Sequence, residues 1–337
     1  MAVARGAYDD DADLCVRAAW LHYGAGLTQG DVAARLGVPN VKAHRLIARA
    51  NKLGLVRISI DGPIAACVAL EERLCAEFGL GLCQVAPDLD DEPLPLRTLS
   101  LIGSRYLSNA LQSGEHAVIG FGHGRTLAAC AAALPRVSVP GVKLVSLLGG
   151  LTRRFSTTPF DVIHRLVERT SAEAYVLPLP FYANTIEDRA VLLDQRGVRP
   201  VVEMGIEATL RFVGIGTMEA DASMLQTGMV EREEFEEARR AGGVGEVLGH
   251  IFSARGERVE TELSARTLSM PAEDIARHRT VAIAGGRSKI EPIRGVLASG
   301  LIHGLITDER TAKALLALSK PGGRPGEETN NANGENV

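Results

Sequence analysis

Residues 27–57, LTQGDVAARLGVPNVKAHRLIARANKLGLVR, constrain the fold more than any other stretch of the chain. They read as two short helices joined by a tight turn. Thr28 stands where an N-cap hydroxyl can accept from an orphan first-turn amide. Asp31 completes capping-box spacing and puts negative charge at the positive end of the helix dipole. Val32, Ala33 and Leu36 form an apolar stripe, and Gly37 supplies the backbone freedom that a helix-to-helix turn needs. By itself this first helix fits any helical hairpin.

The second helix is more specific. Pro39 suits a helix start. Counting about 100° per residue from Asn40, Ala43, Leu46, Ile47 and Ala50 share one side. Val41, His44, Arg45, Ala48, Arg49 and Lys52 share the other, with Lys42 at its edge. Cations interleaved with small residues meet the demands of a DNA major groove: charge for phosphates and low bulk for entry. Asn40, Val41 and His44 are the candidates for base edges; Arg45, Arg49 and Lys52 are the candidates for phosphate contacts, and Lys42, at the edge of the face, is a further DNA-binding candidate. Thr28 and Gln29 are placed to reach the DNA backbone. Leu55–Ile60, LVRISI, alternates like a short strand and is expected to form a wing. The competing account is a solvated helix face.

Charge supports the DNA reading. Between residues 14 and 60 stand seven cations and one anion, Asp31, whereas the chain as a whole carries −4. A basic head on an acidic body confines attraction for nucleic acid to one end.

A length of 337 residues suits two domains, and 46% hydrophobic content supports a sizeable core, aliphatic because aromatics are only 4%. The acidic N-terminus lacks a signal-peptide pattern, and no apolar run reaches membrane-span length. The five cysteines form no Cys-x-x-Cys and no zinc spacing, so they read as reduced, buried residues of a cytoplasmic protein. The expected organisation is a disordered N-terminus over 1–13, a helix-turn-helix domain over 14–61, an effector-binding α/β domain over 62–319 and a disordered tail over 320–337.

Within the body, Ile64, Val68, Leu74, Cys75 and Phe78 mark a helix that either joins two subunits or leans on the large domain. Residues 88–95 read as loop, and 231–240 as a solvated helix. Strands are expected at 117–120, 143–148, 174 onward, 211–216, 280–286 and 304–307. Helices alternate with them at 125–134, 160–172, 289–298 and 308–318. That alternation implies an α/β fold with a mostly parallel sheet, whose ligands sit beyond the C-terminal strand ends.

Four glycine clusters fall at those ends: Gly120 to Thr126, Gly149-Gly150, Gly214 to Thr217 and Gly285 to Arg287. In the first, amides at a helix start beside Arg125 and Thr126 can hold a phosphate or sugar hydroxyls. The cluster lacks both the Walker ending and the dinucleotide fingerprint. No cofactor and no metal is expected. An enzymatic alternative, a sugar-phosphate isomerase with an attached nucleic-acid module, would draw its acid and base from Glu246, Asp308 and His123. A nicotinamide oxidoreductase would rest on the glycine turns alone.

The runs RAAWLHYGAGLTQGDVAARLGV, IGFGHGRTL, LLGGL, FVGIGTME, GVGEVLGHIFSARG and VAIAGGRSKIEPIRGVLASGLIHGLITDERTAKALL occur in one order across residues 14–317. In this the chain resembles the SorC family of bacterial sugar-sensing transcriptional regulators. The resemblance implies an N-terminal winged helix-turn-helix followed by an α/β effector domain. That domain is similar to sugar-phosphate isomerase and CoA-transferase-like folds but works as a sensor. It further implies a homotetramer or homodimer with double-stranded operator DNA and a small carbohydrate or sugar-phosphate effector as partners. Phosphate or hydroxyl contacts map to Gly122, Gly124, Arg125 and Thr126, with His123 in the same turn and Glu246 and Lys289 at further lining positions. Pro39 and Val41 depart from the Ser and following Pro that often open the recognition helix of such regulators. The RAAWLHY and VKAHRLIARA runs look most like repressors of erythritol-type polyol catabolism.

Overall fold

In the computed structural model the described residues are 8–56, 65–89, 94–151 and 161–318, residues 8–12 and 151 by backbone alone. The chain divides into two compact units, residues 1–62 and 63–337.

The first unit is helical. α1 (Tyr8–Ala19) runs into a π-turn (Trp20–Gly24), followed by α2 (Gln29–Leu36) and α3 (Asn40–Lys52). Helix from Tyr8 replaces the disorder expected up to residue 13. The acidic residues there occupy the first turns, where the dipole favours negative charge, and Asp13 pairs with Arg17 at 3.0 Å. The capping box forms as expected: Asp31 N donates to Thr28 Oγ1, and Thr28 N donates to Asp31 Oδ2. Gly37 ends α2 in the left-handed region at φ 64°. Cys15, Ala18, Val32, Ala33, Ala43, Leu46, Ile47 and Ala50 pack between the three helices. Leu55 and Val56 are irregular, and the rest of the expected wing lies outside the described residues, as does the tail from 319.

In the second unit the elements follow in the order α4 (Ala65–Phe78), β1 (Leu82–Ala86), α5 (Leu96–Gln112), β2 (Val118–Phe121), α6 (Arg125–Ala133), β3 (Lys143–Leu151), α7 (Val162–Thr170) and β4 (Glu173–Pro180). Then come α8 (Ile186–Leu193), α9 (Arg199–Glu207), β5 (Leu210–Val213), β6 (Gly216–Thr217), α10 (Ser223–Gln226), α11 (Arg232–Arg240), β7 (Gly243–Val247) and β8 (His250–Ser253). The last are α12 (Glu262–Ala265), α13 (Ala272–Arg277), β9 (Arg279–Ile283), α14 (Ile290–Ala298), β10 (Gly304–Asp308) and α15 (Glu309–Leu318).

Seven strands form a parallel sheet in the order β1-β10-β9-β5-β2-β3-β4, and β6-β7-β8 form a small antiparallel sheet. Buried aliphatic residues fill the two faces of the large sheet. The expected strand 211–216 is in fact two: β5 stays in the large sheet, and the chain leaves it at Gly214-Ile215 to enter the small one as β6. This crossing lays the small sheet over the strand ends. β4 continues through Pro178 to Pro180, which an edge strand tolerates because its outer amides need no ladder partner.

α4 leans on the large domain, packing against β1 and α15. Of the expected stripe Leu74 is buried and Cys75 and Phe78 pack partly buried against the core; Cys67 and Leu70 complete the buried face, and Ile64 lies outside the described residues. α11 is not wholly solvated either: Phe235 and Ala238 are buried, and Glu234 pairs with the buried Arg266. α5, α8, α9, β1 and the small sheet carry no assignment in the sequence reading.

Candidate functional site

In the first unit, α3 splits as its periodicity requires. Ala43, Leu46, Ile47 and Ala50 are buried, while Asn40, Val41, Lys42, His44, Arg45, Arg49 and Lys52 are exposed together. Val41 is 64% exposed. Gln29 is exposed at the first turn of α2. Thr28 departs from its expected role: its one hydroxyl proton goes to Asp31 Oδ2 at 2.6 Å, so the side chain caps the helix and has no donor left for a phosphate. Sequence reasoning missed Tyr23, whose hydroxyl accepts from Asn51 Nδ2 at 2.8 Å and ties the π-turn to the end of α3.

In the second unit a cavity lies beyond the C-terminal ends of β2, β5 and β9, roofed by the small sheet and α10. The space around it, counted out through the open mouth, is about 890 Å³. Six of the seven expected effector residues line it: His123, Gly124, Arg125, Thr126, Glu246 and Lys289. The seventh, Gly122, does not. It is buried, its amide donates to Phe212 O at 2.8 Å, and an added Cβ would meet Leu248 Cδ2 at 3.0 Å, so it is a packing glycine.

Several lining residues escaped sequence reasoning. Phe181, Ser223, Met224, Met229 and Leu248 form walls contributed by segments far apart in the chain. Leu248 is one of two non-glycine residues at positive φ among those described, held at 52° in the tight β7–β8 turn. Of the glycine clusters, Gly214, Gly216 and Gly285 line the cavity, and Gly150 backs the His123 ring, which an added Cβ would approach to 2.9 Å.

The polar set is small and convergent. Gly249 N donates to Glu246 Oε2 at 2.9 Å, and Lys289 Nζ donates to Ile215 O at 2.7 Å. Burial pushes the Glu246 carboxyl up, opposed by the Gly249 amide and the Lys289 charge. Burial pulls the Lys289 ammonium down to about 8, with Glu246 opposing. Burial likewise lowers His123, against the pull of Asp161, which favours the neutral ring at neutral pH. Its Nδ1 is buried and meets no hydrogen-bonding group among the described residues. Together with the uncapped start of α6 after Gly124, these groups can donate to and accept from a polyhydroxylated molecule on several sides.

The isomerase alternative loses a member here. Asp308 is the N-cap of α15, accepting from Thr311 N at 3.0 Å and Thr311 Oγ1 at 2.6 Å, and it does not line the cavity. No group of three or more His, Cys, Asp or Glu among the described residues is placed to hold a metal ion.

The chain is similar to known proteins. The family described as "Putative sugar-binding domain" matches residues 62–317. The erythritol catabolism regulatory protein EryD of Brucella abortus is 52% identical over 316 residues, 94% of this chain and 99% of that protein. The transcriptional regulator LsrR of an Enterobacter species is 33% identical, covering 92% of this chain and 94% of that one. Among solved structures, the full-length sorbitol operon regulator SorC from Klebsiella pneumoniae aligns with a TM-score of 0.66 at 25% identity, over 92% of this chain and all of that one.

Proposed function

We propose, for a chain that belongs to the sugar-binding-domain family of SorC-type transcriptional regulators, that α3 docks in the major groove of operator DNA and that the strand-end cavity holds the controlling carbohydrate. The regulator is not an enzyme; its relatives are named as regulators. Asn40, Val41 and His44 face base edges, Lys42, Arg45, Arg49 and Lys52 hold phosphates, and Gln29 reaches the DNA backbone. Thr28 supports them as a cap. Arg125, Thr126, His123, Glu246 and Lys289 bind the effector, with Gly124 leaving its helix amides open.

The observation that carries this reading is the mixed polar set of the cavity. A carboxyl group, an imidazole and an amine around one small space match hydroxyl groups, which donate and accept, better than they match an apolar ligand. The likeness to the erythritol regulator favours a four-carbon polyol or a close relative, and repression of a polyol catabolic operon as the output. The working form is a homodimer or homotetramer in the cytoplasm. Among the described residues no helix is long and apolar enough to cross a membrane. Effector binding shifts the population between a DNA-competent and an incompetent arrangement of subunits.

The test is fluorescence anisotropy of the DNA upstream of the neighbouring catabolic genes, titrated with the full-length protein at low ionic strength. A panel of tetritols, pentitols and their phosphates is added in turn. Saturable binding whose affinity moves with one compound is expected. No binding with or without every compound overturns the reading.

A further inference from the structure

A second concavity lies on the far side of one wall of the effector cavity. Its lining includes Thr217, Arg239, Arg287, Ser288 and Arg294, and the only acids among its lining residues are Glu219 and Glu291. The effector cavity uses Gly216 and Lys289, the immediate neighbours of Thr217 and Ser288. β6 and the single 3-10 turn Arg287–Lys289 therefore present one face to each space.

The charge is unevenly spent. Arg239 is occupied by Glu219 at 3.9 Å and Glu236 at 3.6 Å. Arg287 and Arg294 have no ion-pair or hydrogen-bond partner among the described residues, and Arg287 is exposed. Two unpaired guanidinium groups and a serine hydroxyl line one groove of a chain whose net charge is negative, and so form a local attractor for anions. Guanidinium forks match the geometry of phosphate oxygens.

We propose that this groove is a second binding site, for a phosphate monoester or free phosphate, separate from the effector cavity and held by Arg287, Arg294 and Ser288. Because the turn that carries Arg287 and Ser288 ends in Lys289, whose ammonium is tied to Ile215 O, an anion in the groove alters the effector cavity across the shared wall. By linkage, effector binding alters anion affinity by the same factor. The coupling rests on the effector reading above; the site itself does not.

Isothermal titration of the full-length protein tests it, with inorganic phosphate and ribose 5-phosphate as separate probes and potassium chloride matched in ionic strength as the control. The wild type is expected to bind at least one probe saturably, and Arg287→Ala/Arg294→Ala to weaken that site at least tenfold. Neither side chain has an ion-pair or hydrogen-bond partner among the described residues, so the variant is expected to keep the fold. Stronger binding of the ester than of free phosphate assigns the site to a phosphorylated metabolite; equal binding assigns it to the free ion. A second variant, Arg125→Ala, removes one of the two cations that line the effector cavity and is expected to keep the groove site. No saturable binding beyond the chloride control overturns the proposal. So does unchanged binding in Arg287→Ala/Arg294→Ala, or loss of all binding in Arg125→Ala.

Discussion

Gly216 and Glu246 sit across the β6–β7 ladder so closely that the carboxylate occupies the space a side chain on Gly216 would need; an added Cβ would overlap Oε1 and lie 2.6 Å from Cγ. The glycine thus seats the one carboxylate of the effector cavity. The three nearest contacts of an added Cβ are all with the Glu246 side chain and none with backbone, so Glu246 has to turn away when that space is filled.

Gly216→Ala is accordingly expected to fold with a melting temperature close to wild type while losing most of its carbohydrate response, an affinity loss on the order of tenfold or more for one displaced hydrogen-bonding group. Calorimetric titration with the responding polyol, set beside a thermal melt, checks both halves. Full-strength binding in a folded variant would remove Glu246 from the site.

Effector affinity should fall as pH rises from 7 to 9. The Lys289 ammonium has its pKa depressed to about 8, so it is largely charged at the lower end of that window and largely neutral at the upper end. A ligand held by that ammonium loses a charge-assisted donor on the way. Lys289→Met should bind more weakly at pH 7 and flatten the profile. Stability moves the other way: from about pH 8 to the ordinary lysine range the unfolded chain holds a proton that the folded chain has released, so Lys289 adds stability as pH rises there. Thermal melts of wild type and Lys289→Met across pH 7–10 read that sign.

Arg211 is fully buried in β5, and its guanidinium donates to Gly205 O and Ile206 O at the end of α9 and to Ile275 O in α13. It closes two helix ends from within the core, where the carbonyl dipoles favour a cation. Arg211→Met leaves those carbonyls unpaired and should cost about 3 kcal/mol in urea unfolding, the range expected when a buried charged partner is removed. A cost under about 1 kcal/mol would mean the carbonyls find other donors.

On the DNA side, Arg45→Ala should weaken binding to operator and unrelated DNA alike and reduce the slope of log affinity against log salt by about 0.9. Asn40→Ala should instead act on the operator alone, by about 1–3 kcal/mol of discrimination. Anisotropy titrations on both DNAs at several salt concentrations separate the two. A uniform loss from Asn40→Ala would move it to the phosphate contacts.

Local chemistry wrote much of this protein openly. The caps at Thr28 and Asp31, the turn at Gly37 and the two faces of α3 depend on residues within a few positions of one another, so they are readable along the chain. The same is true of the apolar strands followed by glycine turns and helices, which announce a parallel sheet with a cavity at its strand ends. Tertiary structure decided what contact between distant segments decides. Gly122 became packing because Leu248, from a turn over a hundred residues later, lies against it. Asp308 became a cap because Thr311 meets it inside a buried corner. β6 left the large sheet to build a roof, and the apolar walls of Phe181, Met224 and Leu248 arrived with that roof. The depressed lysine is likewise a property of enclosure: a side chain's pKa answers to the dielectric and charges around it, and those exist only once the chain has closed.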